Sequence, residues 1–225
     1  MNKLGGESAE FTSAERGEAP PLSKNSSPIK GSTNLTGAVV RIATWNVNSI
    51  RVRLPRLLNW LGAEAPDVLC LQELKCEDTK FPFAELEAAG YRAQVYGQKT
   101  YNGVAVLFRA GLETHEAVRG LRSLSEDAQA RCLAVRFEHL WCLSVYVPNG
   151  ALVGSEKYIY KLKWLAALTE DLQKYFANTS VVVCGDLNIA PSDLDVAKPD
   201  AWKDTVLCHP QVRLAFQALQ GLGLV

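Results

Sequence analysis

The chain has 225 residues, of which 48% are hydrophobic, and its 24 basic and 24 acidic residues give a formal net charge of zero. This length and apolar content are enough for one sizeable folded domain. Because the molecule has no overall field to attract a polyanion, any such partner must be met by a local basic patch. Arg, Glu or Asn interrupts the long apolar runs within a few residues, so the sequence predicts no membrane span.

The first 38 residues differ in composition from the rest of the chain. They are rich in Ser, Gly, Pro, Asn, Glu and Lys and carry few periodic apolar residues, so they predict a disordered leader before a folded domain over residues 39–225. The leader lacks the apolar centre of a signal peptide, and its acidic residues disfavour a transit peptide.

The six cysteines lie mostly inside apolar runs and form no CxxC pair. A zinc or disulfide framework is therefore disfavoured, and core thiols in a reducing compartment are predicted. This pattern favours a cytoplasmic protein, associated with the nucleoid in a bacterium.

The folded part begins with two predicted strands that each end in a polar residue. The first, Val39–Trp45, ends at Asn46, and the second, Val68–Gln72, ends at Glu73. Leucines at helical spacing between them predict a helix that carries Pro55, which we place in the first turn, where proline is tolerated. Two successive strands thus deliver a polar side chain at their ends.

The middle of the chain contains a short helix and four further strands. The helix is predicted to stop at Gly90, and the charged residues 109–130 are assigned to an irregular surface. Tyr146 stands at the end of the last of these strands, beside a loop. The predicted helix covers residues 83–89, and the strands cover residues 91–96, 104–108, 132–137 and 140–147.

A long amphipathic helix is predicted over Ser155–Phe176, with Lys161 and Lys163 on its solvated side. It leads into Val181–Cys184, whose branched apolar residues predict a strand buried on both faces. A short helix follows over residues 212–219. Strands joined both by hairpins and by helix crossovers predict an α+β sandwich of mixed sheets covered by helices.

Gly185 lets the chain turn at the end of that strand, so Asp186 and Asn188 lie at its tip and are able to point the same way. Taken alone, the segment is more typical of an Asx turn than of a site. Three other strand ends carry an amide, a carboxylate and a phenol, and this oxygen-rich set suits a hard cation such as Mg²⁺ better than zinc. The glycine fingerprints of a serine-hydrolase elbow, a Rossmann fold or a P-loop are missing from the sequence.

Five ordered segments between Ile42 and Asp195 resemble one known family: IATWNVNSIRVRL, DVLCLQELK, YNGVAVLF, VYVPNG and VVVCGDLNIAPSDLD. They are similar to the exonuclease III type of abasic-site endonucleases, within the endonuclease/exonuclease/phosphatase superfamily. The resemblance implies a four-layer α/β sandwich, with two facing mixed sheets flanked by helices. It also implies a monomeric base-excision repair enzyme that cleaves double-stranded DNA 5′ to abasic sites with Mg²⁺, or with Mn²⁺ in its place. The resemblance further implies exonuclease activity at 3′ ends and 3′-phosphatase activity.

The resemblance also implies a role for individual residues. Glu73 corresponds to the main metal-binding carboxylate, and Asn46 to an amide that binds the metal or organises the site. Asp186, Asn188 and Tyr146 correspond to the catalytic residues. In the family, certain loop residues contact the DNA backbone or brace the site. The corresponding residues in this sequence are Arg51, Lys75, Tyr101, Asn102 and Asn149.

The family pattern continues beyond Val225 with a further aspartate, a Trp-rich segment and an Asp-His pair, and none of His115, His139 and His209 matches that pair. We therefore expect the domain to be incomplete at its C-terminus, either as a piece of a normal enzyme or as a natural short form. Residues 1–225 alone are expected to be weakly active or inactive, with a sheet edge and apolar surface uncovered. Two alternatives stay open: a phosphoesterase for RNA, phosphoinositides or sphingomyelin, and a non-catalytic DNA-binding pseudoenzyme.

Overall fold

A computed structural model describes residues 40–224, so the predicted leader over residues 1–38 lies outside the described residues. This part of the chain contains eight strands and five α-helices. The strands are β1 (Ile42–Asn46), β2 (Val68–Gln72), β3 (Tyr91–Tyr96), β4 (Val104–Arg109), β5 (Glu116–Arg119), β6 (Cys132–Phe137), β7 (Leu140–Tyr146) and β8 (Ser180–Asp186). The helices are α1 (Ile50–Glu64), α2 (Phe83–Ala88), α3 (Glu156–Tyr175), α4 (Pro199–Trp202) and α5 (Pro210–Gln220).

The first sheet has the strand order β1-β2-β4-β3, with β1 and β2 parallel and the other pairs antiparallel. Every residue of β2 is buried, which agrees with its unbroken apolar run. Asn46 is paired with Gln72 at the end of the parallel ladder. Glu73 follows directly, so the two predicted site residues leave the sheet at the same edge.

The second sheet has the order β5-β6-β7-β8, with β7 and β8 parallel and the other pairs antiparallel. Here Tyr146 is paired with Asp186 at the last position of the parallel ladder. Parallel strands end at the same edge of a sheet, so this pairing places the phenol beside the carboxylate.

The two sheets face each other across an apolar layer that includes Phe108 of β4 and Phe137 of β6, whose ring centroids lie 5.4 Å apart. Helices α1 and α2 cover the outer face of the first sheet, and α3 and α5 cover the outer face of the second. The predicted four-layer α/β sandwich is therefore confirmed. No helix among residues 40–224 is both long enough and apolar enough to cross a membrane.

Two predictions about strands are wrong. Residues 109–130 were assigned to irregular surface, yet they contain β5, a short strand whose residues are mostly exposed. Val181–Cys184 was predicted to be buried on both faces, but β8 is only half-buried because, within residues 40–224, it is the last strand of its sheet. In an edge strand of this kind, branched apolar residues do not indicate full burial.

Two predictions about helices also need correction. The first helix begins at Ile50, so Pro55 is its sixth residue and lies in the second turn. Its missing N–H leaves the carbonyl of Arg51 without a helix bond, and Arg51 is exposed, where water can satisfy that oxygen. The apolar face of α3 is also displaced from the predicted one, since Ile159 is 60% exposed whereas Lys161 is completely buried.

All six cysteines are free thiols, and five of them are buried. The predicted role as small core residues is therefore confirmed for those five. Cys184 of β8 is half-exposed, in keeping with its position at the sheet edge.

Candidate active site

Asn46 joins the two sheets at the edge where β1, β2, β7 and β8 end. Its Nδ2 donates one hydrogen bond of 2.8 Å to Oε1 of Glu73 and another of 2.8 Å to Oδ2 of Asp186. An amide nitrogen carries two N–H donors, so both are used here. The side chain thus holds two carboxylates close together and leaves its own Oδ1 facing the adjacent turn, where it accepts from the N–H of Asn48 at 3.0 Å.

Glu73 is surrounded by donors. Lys75 Nζ lies 2.9 Å from its Oε2, while Asn46 occupies the other oxygen. Partial burial acts to raise the pKa of Glu73, but hydrogen bonds from Asn46, Lys75 and Tyr146, together with the charge of Lys75, outweigh it and lower the pKa. The carboxylate is therefore ionised at neutral pH, which is the form that binds a cation.

Tyr146 is half-buried beside Glu73. Burial is the largest cause that raises its pKa, to about 12, and the negative charge of Glu73 adds to it. The phenol therefore stays protonated at neutral pH, and its one O–H is directed at Glu73. The guanidinium of Arg131 lies 4.8 Å from the centre of the Tyr146 ring, and Arg131 Nη1 donates to the Tyr146 carbonyl at 3.2 Å, which fixes the ring in place.

Asp186 and Asn188 form the turn that follows β8. The N–H of Asn188 donates to Oδ1 of Asp186 at 3.1 Å, which is an Asx turn, so the simpler structural interpretation of this segment also holds. Asn188 Nδ2 donates to the carbonyl of Val147 at 2.9 Å, and Asn149 Nδ2 donates to Asn188 Oδ1 at 3.2 Å. One N–H of Asn188 Nδ2 remains available for a further acceptor.

Gly185 brings β8 unusually close to β7. Its φ of +154° belongs to glycine, and a Cβ built at this position would lie 1.9 Å from the carbonyl oxygen of Val145. Glycine is thus required by close packing of the backbone within the strand as well as by the turn predicted after it. This close approach sets the position of Asp186, the next residue.

Several site residues have left-handed backbone conformations. Glu73, Lys75 and Asn188 have φ values of 55°, 54° and 49°, and Asn102 has 54°. Non-glycine residues adopt this region only where the surrounding contacts hold them there, and such residues are concentrated at functional sites. The turns after β2 and β8 are therefore shaped to present particular side chains.

A groove of about 520 Å³ opens beside Glu73 and Tyr146. It is lined by four of the residues predicted to bind DNA or brace the site: Lys75, Tyr101, Asn102 and Asn149. Tyr101 is 69% exposed in this groove, and three cationic side chains line it, those of Lys75, Arg131 and Lys157.

Asn102 and Arg51 differ from the other predicted DNA-binding residues. Asn102 is buried and its Nδ2 donates to Gln98 and Gln129, so in this structure it braces the groove wall. Arg51 is exposed on the first turn of α1 and is not among the residues that line the groove. Its contact with DNA stays a prediction.

Two residues near the site were missed from the sequence. Arg131 holds Tyr146, but nothing in the sequence distinguishes it from other surface arginines. Lys161 was assigned to the solvated face of α3, which is wrong, since its side chain is fully buried behind the loops that carry Asn149 and Asn188. Its spacing from Tyr158 and Trp164, three residues away on either side and both buried, is the signal that could have placed it on the buried face.

The donor set fits a hard divalent cation. Glu73 and Asp186 contribute carboxylate oxygens and Asn46 an amide oxygen, and each oxygen keeps a lone pair beyond the hydrogen bond it already accepts. Over residues 40–224, no group of three or more His, Cys, Asp and Glu side chains is arranged to hold a metal. The few oxygen ligands at this edge suit a hard divalent cation that keeps several waters.

The sequence pattern of the Endonuclease/Exonuclease/phosphatase family matches residues 43–211, which include every site residue described above. The chain belongs to this family. Among curated relatives, the family member exodeoxyribonuclease III of Haemophilus influenzae is 34% identical over 197 residues, covering 82% of this chain and 73% of its own length. An exodeoxyribonuclease of Bacillus subtilis is 29% identical over 192 residues, covering 83% of this chain and 73% of its own length.

Two solved structures also match this chain over most of its length. An AP endonuclease from Archaeoglobus fulgidus matches with a TM-score of 0.79 and 40% identity, over 83% of this chain and 72% of that one. The 3′ phosphatase NExo from Neisseria, bound to a product DNA hairpin, matches with a TM-score of 0.79 and 40% identity, over 82% of this chain and 71% of that one. These matches confirm the predicted class of enzyme. It is a hydrolase of the exodeoxyribonuclease III and AP endonuclease type and depends on a divalent metal.

Proposed function

We propose that this protein is an Mg²⁺-dependent DNA repair phosphodiesterase that cleaves double-stranded DNA 5′ to abasic sites. The observation that carries the proposal is the pair of carboxylates from opposite sheets, Glu73 and Asp186, joined through one amide and flanked by a protonated phenol. Hydrolysis of a phosphodiester needs a positioned water, stabilisation of charge on the phosphoryl oxygens and help for the leaving 3′ oxygen. The groups at this edge can supply each of these.

Glu73 and the amide oxygen of Asn46 would hold the cation, with Mn²⁺ as a substitute for Mg²⁺. When bound there, the cation offsets negative charge on the phosphate, a contribution of several kcal/mol. Lys75, which is paired with Glu73 at 2.9 Å, keeps the carboxylate oriented toward the site. These assignments rest on the donor set and on the lowered pKa of Glu73.

Asp186 positions the attacking water or accepts its proton, because both of its oxygens are fixed by hydrogen bonds from Asn46 and Asn188. Asn188 donates its remaining N–H to a non-bridging oxygen of the phosphate. Tyr146, with its pKa raised to about 12, stays protonated and turns its O–H from Glu73 to the phosphate or to the leaving oxygen when DNA binds. The cationic groove beside Tyr146 then contacts the neighbouring phosphates of the DNA backbone, as one monomer engages one duplex.

The test is single-turnover cleavage of an abasic duplex and of an intact duplex, with Mg²⁺ or with chelator. We expect cleavage only of the abasic duplex with Mg²⁺. Asp186→Asn should lower the rate of that cleavage by about 10²-fold or more, since it removes a general base. Asp200→Asn is the matched control, because Asp200 is an exposed aspartate on α4 that is not among the groove residues.

Two results would refute the proposal: cleavage that persists in chelator, or Asp186→Asn cleaving as fast as Asp200→Asn. A duplex with a 3′-phosphate belongs in the same experiment, because a 40% identical structure is that of a 3′ phosphatase. Faster release of phosphate than of the abasic product would favour 3′-phosphatase activity as the main function. An RNA substrate cleaved in preference to both duplexes would favour the alternative phosphoesterase.

A further inference from the structure

Lys161 is a buried cation in the middle of the molecule. It lies on α3, its side chain has no exposed surface, and its Nζ donates to three backbone carbonyls. The acceptors are the carbonyls of Asn149 at 3.1 Å, Asn188 at 2.6 Å and Val206 at 2.7 Å. An ammonium has three N–H donors, so all of them are satisfied and the charge can be buried.

The three carbonyls belong to three separate loops. Asn149 follows β7, Asn188 follows β8, and Val206 precedes α5. The side chains of Asn149 and Asn188 are themselves hydrogen-bonded, with Asn149 Nδ2 donating to Asn188 Oδ1 at 3.2 Å. The Lys161 ammonium therefore fixes the backbone of Asn149, which lines the groove, and the backbone of Asn188, which hydrogen-bonds Asp186.

The aliphatic part of the Lys161 side chain is also closely packed. Gly150, with φ of +98°, lies so close that a Cβ there would be 3.1 Å from Lys161 Cδ and 3.4 Å from Val206 Cβ. Burial lowers the pKa of Lys161 to about 8, although the charges of Asp186 and Cys208 act to raise it. At neutral pH the protonated form, with three donors, therefore predominates.

We propose that Lys161 is a positioning residue, which holds the loops of Asn149 and Asn188 so that Asn188 and Asp186 face the substrate phosphate. The proposal rests on the phosphodiesterase function proposed above. Lys161 does not touch the substrate, because its side chain has no exposed surface and is not among the residues that line the groove. Its effect on cleavage passes through the backbone of Asn188, whose amide proton also orients Asp186.

The first test replaces the donors and keeps the stem. Lys161→Met removes all three N–H groups at similar length, and Lys163→Met makes the same change at an exposed position two residues along α3. Hydrogen exchange measured without DNA should become about tenfold faster in residues 147–151, 186–190 and 205–208 of Lys161→Met, as expected when local bonds are lost. Lys163→Met should exchange like the wild type.

The second test measures cleavage of the abasic duplex by the same variants. Lys161→Met should lower kcat by about 10²-fold with little change in KM, the size expected for a misplacement of about 1 Å. Combining it with Asn188→Ala should lower kcat little further than Asn188→Ala alone, because both changes disable the same group. A merely structural lysine would instead give additive losses. Lys161→Arg, which can still donate to the carbonyls, should restore part of the loop protection and of kcat.

If Lys161→Met does not fold, Lys161→Gln takes its place, since its amide keeps two donors without the charge. The expected order of loop protection and kcat is then wild type, Lys161→Arg, Lys161→Gln. Unchanged exchange in the three loops, or kcat equal to that of Lys163→Met, would overturn the positioning role while leaving the proposed function intact. Cleavage by the wild-type chain that persists in chelator would overturn the proposed function, whereas the exchange result would still decide whether Lys161 orders these loops.

Discussion

Replacing Gly185 by alanine is the sharpest test of how β8 is placed. The added Cβ would lie 1.9 Å from the carbonyl oxygen of Val145 and 2.8 Å from its carbon, both backbone atoms of the neighbouring parallel strand. Real Cβ contacts stay above 3.0 Å, so β8 must move away from β7 by about 1 Å. That movement would also carry Asp186 away from its bond with Asn46.

The size of the effect follows from two separate terms. An alanine at φ of +154° occupies a region that is essentially restricted to glycine, which costs about 1–3 kcal/mol. Overpacking against a rigid neighbour costs about 1–3 kcal/mol more. We therefore expect Gly185→Ala to lower the free energy of unfolding by about 4 kcal/mol, a large part of the roughly 5–15 kcal/mol that stabilises a typical domain.

Urea unfolding followed by circular dichroism measures this loss. Gly154→Ala is the matched control, because Gly154 has φ of +82° but nothing lies within 4 Å of its added Cβ. Gly154→Ala should therefore lower the free energy of unfolding only by the cost of placing alanine at a positive φ, about 1 kcal/mol. Equal unfolding midpoints for the two variants would show that β7 and β8 can separate freely, which contradicts the close backbone contact inferred here.

Three further predictions concern polar groups. Asn46→Ala removes the amide that donates to both Glu73 and Asp186, so single-turnover cleavage should fall about 10²-fold, and an unchanged rate would contradict the bridging role. The pKa of Glu73 is lowered in the folded chain, so its contribution to stability is present above its ordinary value of 4.5 and is lost as the pH falls through the folded value. Calorimetry in chelator should therefore show a smaller drop in Tm below pH 4.5 for Glu73→Gln than for wild type, and parallel curves would argue against the shift. Asp171 is buried and accepts two backbone N–H groups at 2.7 and 2.8 Å, so Asp171→Ala should cost about 3 kcal/mol in urea unfolding. Asp171→Asn keeps one acceptor oxygen and should cost less, whereas equal losses would show that the hydrogen bonds are not the cause.

The strand ends were the most predictable part of the molecule. Each of the four site residues follows a short run of apolar, often β-branched residues, and that length and composition favour a strand. The four are Asn46, Glu73, Tyr146 and Asp186. Their convergence at one edge follows from the two parallel ladders, in which paired strands end together. The family resemblance predicted that the two sheets face each other. The spacing of apolar residues alone does not show which sheets pack together.

Three of the errors share a physical cause, since each depends on neighbours that are distant in sequence. Lys161 is charged, and only the three carbonyls from other loops make its burial favourable. The residues of β5 are mostly exposed and two of the four are charged, so the strand exists only because β6 pairs with it. Conversely, Val181–Cys184 has the composition of a central strand, but its position in the sheet decides its burial.

The bond between Asn46 and Asp186 joins residues that are 140 positions apart in the chain. Closing so long a loop costs chain entropy, which only the packed sandwich offsets. During synthesis on the ribosome, Asn46 and Glu73 emerge well before Asp186 has been added. A nascent chain therefore carries only half of the site, and hydrolysis of DNA can begin only after the second sheet has folded onto the first.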